Sequence, residues 1–126
     1  MLSTRPDLVF TISTLSKFAS APLPMHLAVA KRVLRYLKTT KTLALSFSFE
    51  QRDAQLVGFS DSDWGGDRDD RKSTSGYVFT IGGMAISWKS KKQAVVALSS
   101  TEVEYIGTSE ATWEAICLLL ENTESN

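Results

Sequence analysis

The sequence predicts an α+β (α/β) protein in which two helices and a strand precede three further strands and a final helix. Apolar residues recur at helical spacing near both ends of the chain and at the two-residue spacing of strands between them. A Gly82-Gly83 pair separates two of the strands, as in a tight antiparallel hairpin. The chain has 126 residues, which is enough for one domain or for the ends of two.

Two helices are predicted at the start of the chain. The first covers residues 5–18 and carries apolar side chains on one face: Leu8, Ile12, Leu15 and Phe18. Prolines at 22 and 24 interrupt the pattern, and the second helix is predicted over residues 24–39 with Pro24 in its first turn. His26 has no second ligand at a metal-binding spacing, so it is predicted to be structural.

Four strands and a helix follow. The strands are predicted at residues 43–49, 56–60, 76–81 and 84–89, and a polar loop over residues 64–75 joins two of them. A polar joint at residues 52–55 suggests a boundary between domains 1–52 and 53–126. After an extended stretch at 95–98, the last helix is predicted over residues 101–120, before a frayed tail. Its inward-facing side chains are predicted to be Val103, Ile106, Trp113, Ile116, Cys117 and Leu120.

Charge is unevenly distributed although the net charge is zero. Residues 1–49 hold seven Lys/Arg and one acid, whereas residues 99–126 hold six Glu and no base. The chain as a whole is therefore not attracted to nucleic acid, but its N-terminal third offers a basic surface.

The sequence also predicts a compartment. A single cysteine, Cys117, excludes an intramolecular disulfide, and its place in an apolar helix predicts an inert buried thiol. No secretory signal and no apolar run of membrane-spanning length occurs. We therefore expect an intracellular protein, in the cytoplasm and without a membrane partner.

Two carboxylates stand out at the ends of predicted elements. Asp61 follows the strand at 56–60, and Glu104 lies one turn inside the last helix. Divalent cations such as Mg²⁺ prefer carboxylate oxygens on rigid elements and keep further positions for water and phosphate. A metal site at Asp61 and Glu104 is one interpretation. The other is that Asp61 and its neighbour Asp63 are ordinary turn residues at a strand end.

The neighbouring acids have other interpretations. Ser99 and Glu102 form a capping-box pattern, in which the serine oxygen accepts the Glu102 amide and the glutamate reaches back to the Ser99 amide. Asp61, Asp63 and Gly66 match positions of a calcium loop, but Lys72 occupies the position that requires a bidentate glutamate. Calcium binding of that type is excluded.

Two basic groups are candidate phosphate contacts. Lys31, Arg35 and Lys38 line one face of the second helix, and Lys89, Lys91 and Lys92 cluster after a strand. The alternative for both groups is a solvated surface.

Several ordered blocks carry a family resemblance. Residues 4–7 and 30–38 resemble the end of the reverse transcriptase region of copia-type retrotransposon Pol polyproteins. Four further blocks resemble the ribonuclease H domain that follows that region: residues 59–67, 72–77, 86–93 and 97–105.

The resemblance implies a partial ribonuclease H-like fold, with a three-stranded antiparallel start of a mixed sheet and a helix. It implies hydrolysis of the RNA strand of an RNA–DNA hybrid with two Mg²⁺ ions held by four carboxylates. Asp61 corresponds to the first-strand aspartate that bridges both ions, and Glu104 to the first-helix glutamate. The strand and the helix that carry the other two acids are missing, so we expect a fragment whose partner is the rest of the Pol polyprotein.

Two hypotheses follow for activity. The chain is part of a hybrid-cleaving enzyme, or it is a catalytically dead remnant that at most binds nucleic acid or another polyprotein segment. Two carboxylates hold two mutually repelling ions poorly, which favours the remnant as a description of the chain alone.

Overall fold

The computed structural model describes residues 4–46, 55–67 and 69–124, with side chains described as far as residue 120 in the last helix. The chain forms two compact units, Met1–Ser46 and Phe47–Asn126. Residues 52–54 of the predicted boundary at 52–55 lie outside the described residues. The two units are considered separately below.

The first unit contains a short 3₁₀ turn, Pro6–Leu8, and two helices, α1 (Val9–Ser16) and α2 (Pro24–Thr39). The prediction for α2 is confirmed, with Pro24 in its first turn, where a missing amide hydrogen costs no helical bond. The helix predicted over residues 5–18 is wrong at both ends. The amide of Leu8 bonds to the Arg5 carbonyl (3.2 Å), and that of Phe18 to the Leu15 carbonyl (3.1 Å), so tighter three-residue turns flank α1.

The strand predicted at residues 43–49 is wrong where the structure describes it. Residues 43–46 have no regular secondary structure, and residues 47–49 lie outside the described residues. The amide of Leu43 bonds to the Thr40 carbonyl at 3.1 Å, which makes a turn after α2, and the Leu43 side chain is exposed. Alternation alone does not make a strand when no neighbouring strand offers ladder partners.

The second unit contains the sheet. Strands β1 (Leu56–Ser62), β2 (Thr74–Ile81) and β3 (Met84–Lys92) are antiparallel, in the order β1-β2-β3. Gly82 and Gly83 both have positive φ, at 58° and 80°, as expected for the tight turn between β2 and β3. This confirms the three predicted strands and an α+β architecture.

Helix α3 spans Ser100–Glu124 and packs on β1 and β2. Buried residues four apart face the sheet: Val103, Gly107 and Ala111. A Cβ at Gly107 would overlap the Ser62 hydroxyl of β1, and a Cβ at Gly58 would overlap the ring of Phe79. Small residues therefore let α3 and the sheet approach each other closely around Phe79, which is buried.

The inward face predicted for α3 is only partly correct. Val103 is fully buried, as predicted, and Ile106 and Cys117 are half-buried. Trp113 is 70% exposed, and Ile116 and Leu120 are also exposed. The bulky apolar residues face solvent because the narrow stripe of small residues occupies the contact with the sheet. The segment at 95–98 is irregular rather than a strand, with Ala97 buried and Leu98 89% exposed. Among the described residues, no helix is long and apolar enough to cross a bilayer.

Candidate functional site

Asp61 lies near the end of β1, opposite Gly76 of β2, and its side chain is exposed. The strand continues to Ser62, two residues beyond its predicted end, so Asp61 is within the hydrogen-bonded ladder rather than in the turn after it. A backbone held in a ladder is a rigid support for a ligand carboxylate.

Glu104 lies in the first turns of α3 and is also exposed. The start of this helix is capped as the serine and glutamate pattern predicts: the Glu102 amide donates to Ser99 Oγ at 3.2 Å. The Glu102 carboxylate accepts the amide of Leu98 at 2.7 Å, not that of Ser99 as predicted, so the cap closes one residue earlier. Glu102 is therefore occupied by the cap, as expected, whereas Glu104 has no such role.

The two carboxylates flank a direct contact between β1 and α3. Ser62 follows Asp61 and contacts Gly107, which lies three residues after Glu104 on the same side of the helix. Successive side chains of a strand alternate between faces, so Asp61 leaves the sheet on the face away from Ser62 and α3. An ion shared by Asp61 and Glu104 would consequently lie beyond the end of β1, not between the helix and the sheet.

Within the described residues, no three His, Cys, Asp or Glu side chains form a group that could hold a metal ion. The carboxylate oxygens of Asp61 and Glu104 suit Mg²⁺ chemically, but two acids provide only part of a coordination shell.

Asp63 and the loop after it are held by their own hydrogen bonds. Asp63 Oδ1 accepts the Thr74 amide at 2.5 Å, and the Gly65 amide donates to Ser73 Oγ at 3.0 Å. A Cβ at Gly66 would overlap the Asp63 carboxylate, so a larger residue there would displace this side chain from its present position. Asp63 thus shapes the loop between β1 and β2, consistent with the turn-residue interpretation for this acid.

Two of the three lysines at the end of β3 have acidic partners. Lys92 Nζ lies 2.5 Å from Asp67 Oδ2 and 2.7 Å from Asp70 Oδ2. Lys89 Nζ lies 3.4 Å from Glu110 Oε2 and 6.0 Å from the centre of the Tyr77 ring. Lys91, between them, is exposed. Among the described residues, the ion pairs of this lysine cluster involve Lys89 and Lys92 and not Lys91.

Tyr77 belongs to a polar group beneath α3 that the sequence did not indicate. The Ser87 hydroxyl donates to Glu114 Oε1 at 2.6 Å, and Tyr77 also interacts with Glu114. Burial and the charge of Glu114 raise the pKa of Tyr77 to about 12. The partners lie on β2, β3 and α3, so no sequence spacing signals them.

In the first unit, the basic face of α2 is exposed along its length. Lys31, Arg35 and Lys38 lie four and three residues apart, on one side of the helix, and each is exposed. This arrangement agrees with the predicted stripe and suits a row of phosphates.

A second polar group, around Arg5, fixes the start of the chain to the end of α2. Arg5 donates two hydrogen bonds to Asp7, at 3.0 and 2.8 Å, and one to Thr40 Oγ1 at 2.9 Å. The Tyr36 hydroxyl donates to Asp7 Oδ2 at 2.9 Å, and the Arg5 guanidinium lies 5.4 Å from the centre of the Tyr36 ring. These hydrogen bonds, above all those from Arg5, lower the pKa of Asp7 to about 2.

His26 has the structural role that was predicted. Its Nδ1 accepts the Leu23 amide at 3.1 Å, and its ring stacks on Phe18 with the ring centres 4.0 Å apart. The histidine caps the start of α2 and closes the bend after α1.

The chain resembles several known proteins over nearly all its length. It is 55% identical over 118 residues to the secreted RxLR effector protein 161 of Plasmopara viticola, covering 94% of this chain and 82% of that protein. It is 45% identical to the retrovirus-related Pol polyprotein from transposon TNT 1-94 of Nicotiana tabacum, covering 94% of this chain and 9% of the polyprotein. It is 42% identical to the retrovirus-related Pol polyprotein from transposon RE1 of Arabidopsis thaliana, covering 93% of this chain and 8% of that polyprotein.

Neither a protein-family model nor a solved structure matches the chain. The chain spans 9% and 8% of the two plant polyproteins, so it corresponds to a small part of each. That part is matched almost from end to end, at 45% and 42% identity. The chain belongs to the family of retrovirus-related Pol polyproteins from copia-type transposons.

Proposed function

We propose that this chain carries the first part of a ribonuclease H-type site, in which Asp61 and Glu104 bind Mg²⁺ for hydrolysis of the RNA strand of an RNA–DNA hybrid. The observation that supports this most is the contact between Ser62 and Gly107. It brings the end of β1 and the first turns of α3 together, with the exposed Asp61 next to Ser62 and the exposed Glu104 one helical turn before Gly107. The neighbouring acids Asp63 and Glu102 have structural partners.

The chemistry assigned to each acid follows from its position. Asp61, on the ladder of β1, would hold an oxygen ligand at a fixed point, and Glu104 would approach from the helix. Bound Mg²⁺ would supply a Lewis acid that activates a water molecule and stabilises the leaving oxygen. The exposed surface around both acids leaves room for a hybrid backbone.

Two acids are too few for two ions. Paired metal ions lie roughly 3.5–4 Å apart in such sites. Two divalent ions at about 4 Å repel each other by roughly 16 kcal/mol at an effective dielectric constant of about 20. Two carboxylates offset only part of this repulsion, so hydrolysis needs acids outside the described residues. We therefore expect this chain alone to cleave no hybrid in Mg²⁺.

An extended chain tests this proposal. It joins the present sequence to the segment that follows the matched region in the TNT 1-94 relative. We expect the extended protein to cleave the RNA strand of a hybrid in Mg²⁺, and Asp61→Asn or Glu104→Gln to abolish cleavage. Asp69→Asn, at another exposed acid, should leave it unchanged. Cleavage that persists in Asp61→Asn would contradict the proposal.

A second candidate function is binding of nucleic acid without catalysis. It is favoured by the lack of a three-ligand metal group in the described part of the chain, together with the exposed basic face of α2. Fluorescence anisotropy with a labelled hybrid measures it. Reversal of Lys31, Arg35 and Lys38 to Glu should weaken binding strongly and reduce its salt dependence, whereas Lys41→Glu should have a smaller effect. If Lys41→Glu lowers the binding free energy by one third of the triple variant's loss, as its share of the charge change requires, only net charge matters and the face of α2 is not a site.

A further inference from the structure

A buried hydrogen-bond chain connects the strand that carries Asp61 to the helix that carries Glu104. The Ser62 hydroxyl donates to Ser75 Oγ at 3.0 Å. Gln93 Nε2 donates to the same Ser75 oxygen at 2.6 Å and to the Val103 carbonyl at 3.2 Å. Gln93 is 5% exposed, Ser75 4% and Val103 0%, so water does not compete for these bonds.

The residues at the two ends of this series of hydrogen bonds are sequence neighbours of the candidate metal ligands. Ser62 follows Asp61 directly, and Val103 precedes Glu104 directly. A shift of either end would move the backbone that carries a carboxylate. The contact between Ser62 and Gly107 adds a steric stop to the same junction.

The backbone of Gln93 is itself held next to β2. Its amide donates to the Ser73 carbonyl at 2.8 Å, just after β3 ends. One residue therefore joins β3, the start of β2 and the first turn of α3. Because Val103 offers only a carbonyl oxygen here, the side-chain nitrogen of Gln93 must face the helix, which sets the orientation of the amide.

The side-chain oxygen of Gln93 shows that this arrangement has a cost in stability. Gln93 Oε1 is buried and accepts no hydrogen bond from the described residues. A buried oxygen without a donor is destabilising, and an apolar side chain of the same length would avoid that cost. A glutamine that serves only packing would be a poor choice at this position.

We propose that Gln93 is a positioning residue, which holds Glu104 in register with Asp61 so that both carboxylates reach one divalent cation. This inference rests on the proposed function. Gln93 acts through the Val103 carbonyl and Ser75, and does not itself touch the ion.

Binding of Mn²⁺ to the full chain, followed by NMR, tests this role. Bound Mn²⁺ broadens the signals of nearby amides, so the amides of Ser62 and Tyr105 report on the two sides of the site. In the unaltered protein we expect both signals to broaden together as Mn²⁺ is added. Asp61→Asn should abolish the broadening of both.

The informative variant is Gln93→Met, which keeps the length of the side chain and removes both donors. We expect its affinity for Mn²⁺ to fall about tenfold and the two amides to broaden at different Mn²⁺ concentrations. Ser87→Ala is the matched control, since it also removes one hydrogen bond between the sheet and α3, but near Glu114. Ser87→Ala should leave Mn²⁺ binding unchanged even if it lowers the melting temperature as much as Gln93→Met does.

Each outcome decides the matter. If Gln93→Met binds Mn²⁺ as the unaltered protein does, the inference is wrong whether the variant melts earlier or later. The same holds if Ser87→Ala weakens Mn²⁺ binding as much as Gln93→Met. If the unaltered protein shows no joint broadening, the proposed metal site itself is wrong and the inference fails with it.

Discussion

The ammonium group of Lys92, the last residue of β3, lies 2.5 Å from the Asp67 carboxylate in the loop between β1 and β2. Asp70 of the same loop lies 2.7 Å from it. The hydrogen bonds to Asp67 and Asp70 raise the pKa of Lys92, and the bond from Lys92 lowers the pKa of Asp70. This lysine therefore connects the loop to the sheet, in addition to any contact with phosphate.

The first prediction separates Lys92 from its neighbour Lys91. Lys92→Met should increase hydrogen exchange severalfold at the loop amides of Asp69 and Lys72, because the loop loses its tie to β3. Lys91→Met should leave that exchange unchanged and reduce hybrid binding more than Lys92→Met does. A loop that exchanges equally in both variants would show that the ion pair does not order it.

The second prediction concerns acid stability of the first unit. The pKa of Asp7 is about 2, below its ordinary 3.8, mainly because Arg5 donates hydrogen bonds to it. Its stabilising contribution is therefore complete above the ordinary pKa and is lost as pH falls toward about 2. Asp7→Asn should flatten the decline of the melting temperature between these values. A decline that is equally steep in both proteins would contradict the assignment.

The third prediction concerns alkaline pH. Burial and Glu114 raise the pKa of Tyr77 to about 12, from an ordinary 10.0. A raised pKa contributes stability that is complete below the ordinary pKa and is lost as pH rises toward about 12. Ultraviolet titration should find one of the three tyrosines ionising late. Glu114→Gln should move that step to lower pH, because it removes the repelling charge. Tyr105→Phe, at a 77% exposed tyrosine, should leave the step in place.

The fourth prediction tests the close approach of α3 to β1. Alanine in place of glycine within a helix usually stabilises it by about 1 kcal/mol. Gly107→Ala should instead destabilise the protein, by about 1–3 kcal/mol, since its Cβ would overlap the Ser62 hydroxyl.

The corresponding double variant separates sterics from helix propensity. Ser62→Ala removes the overlapping oxygen. The nearest atoms left around the added Cβ are then Ser75 Oγ at 3.3 Å, which needs only a small shift, and the residue 62 Cβ at 3.4 Å. Adding Gly107→Ala to Ser62→Ala should therefore cost much less than adding it to the unaltered protein. Additive losses in chemical denaturation would show that the overlap is not the cause.

The fifth prediction concerns association. Among the described strands, β1 has a neighbour on one side only, and it exposes Val57 and Phe59, the latter by 60%. Exposed strand edges with apolar side chains promote pairing between molecules. We expect the isolated chain to elute as a dimer or larger species in size-exclusion chromatography, and Phe59→Lys to shift it toward monomer. A monodisperse monomer with one sharp thermal transition would refute this expectation.

The strands were predictable because their apolar alternation is local. Residues 56–60, 76–81 and 84–89 all lie in strands, as predicted. Each strand is longer than predicted at one end, where the sequence is polar: β1 ends at Ser62, β2 begins at Thr74 and β3 ends at Lys92. Ser62 pairs with Ser75, and Thr74 with Lys92, so ladder bonds and buried polar contacts support residues whose own propensity does not.

The candidate site was only partly predictable, for a related reason. The spacing of Ser99 and Glu102 identified the cap because its bonds are local. Gln93 was not identified, because its partners Ser75 and Val103 lie 18 and 10 residues away and are chosen by the fold. The exposure of Trp113 was missed because hydrophobicity alone does not reveal that small residues occupy the helix–sheet contact.

The order of the sheet has a consequence for how the second unit acquires its structure. Each strand pairs with the strand next to it in sequence, so β1, β2 and β3 can form by successive closures of short loops. The contact of α3 with β1 joins the most distant elements and carries the largest entropic cost of closure. The junction of Ser62 with Gly107 is thus expected to form last on refolding. Substitutions there should accelerate unfolding while leaving the rate of hairpin formation unchanged.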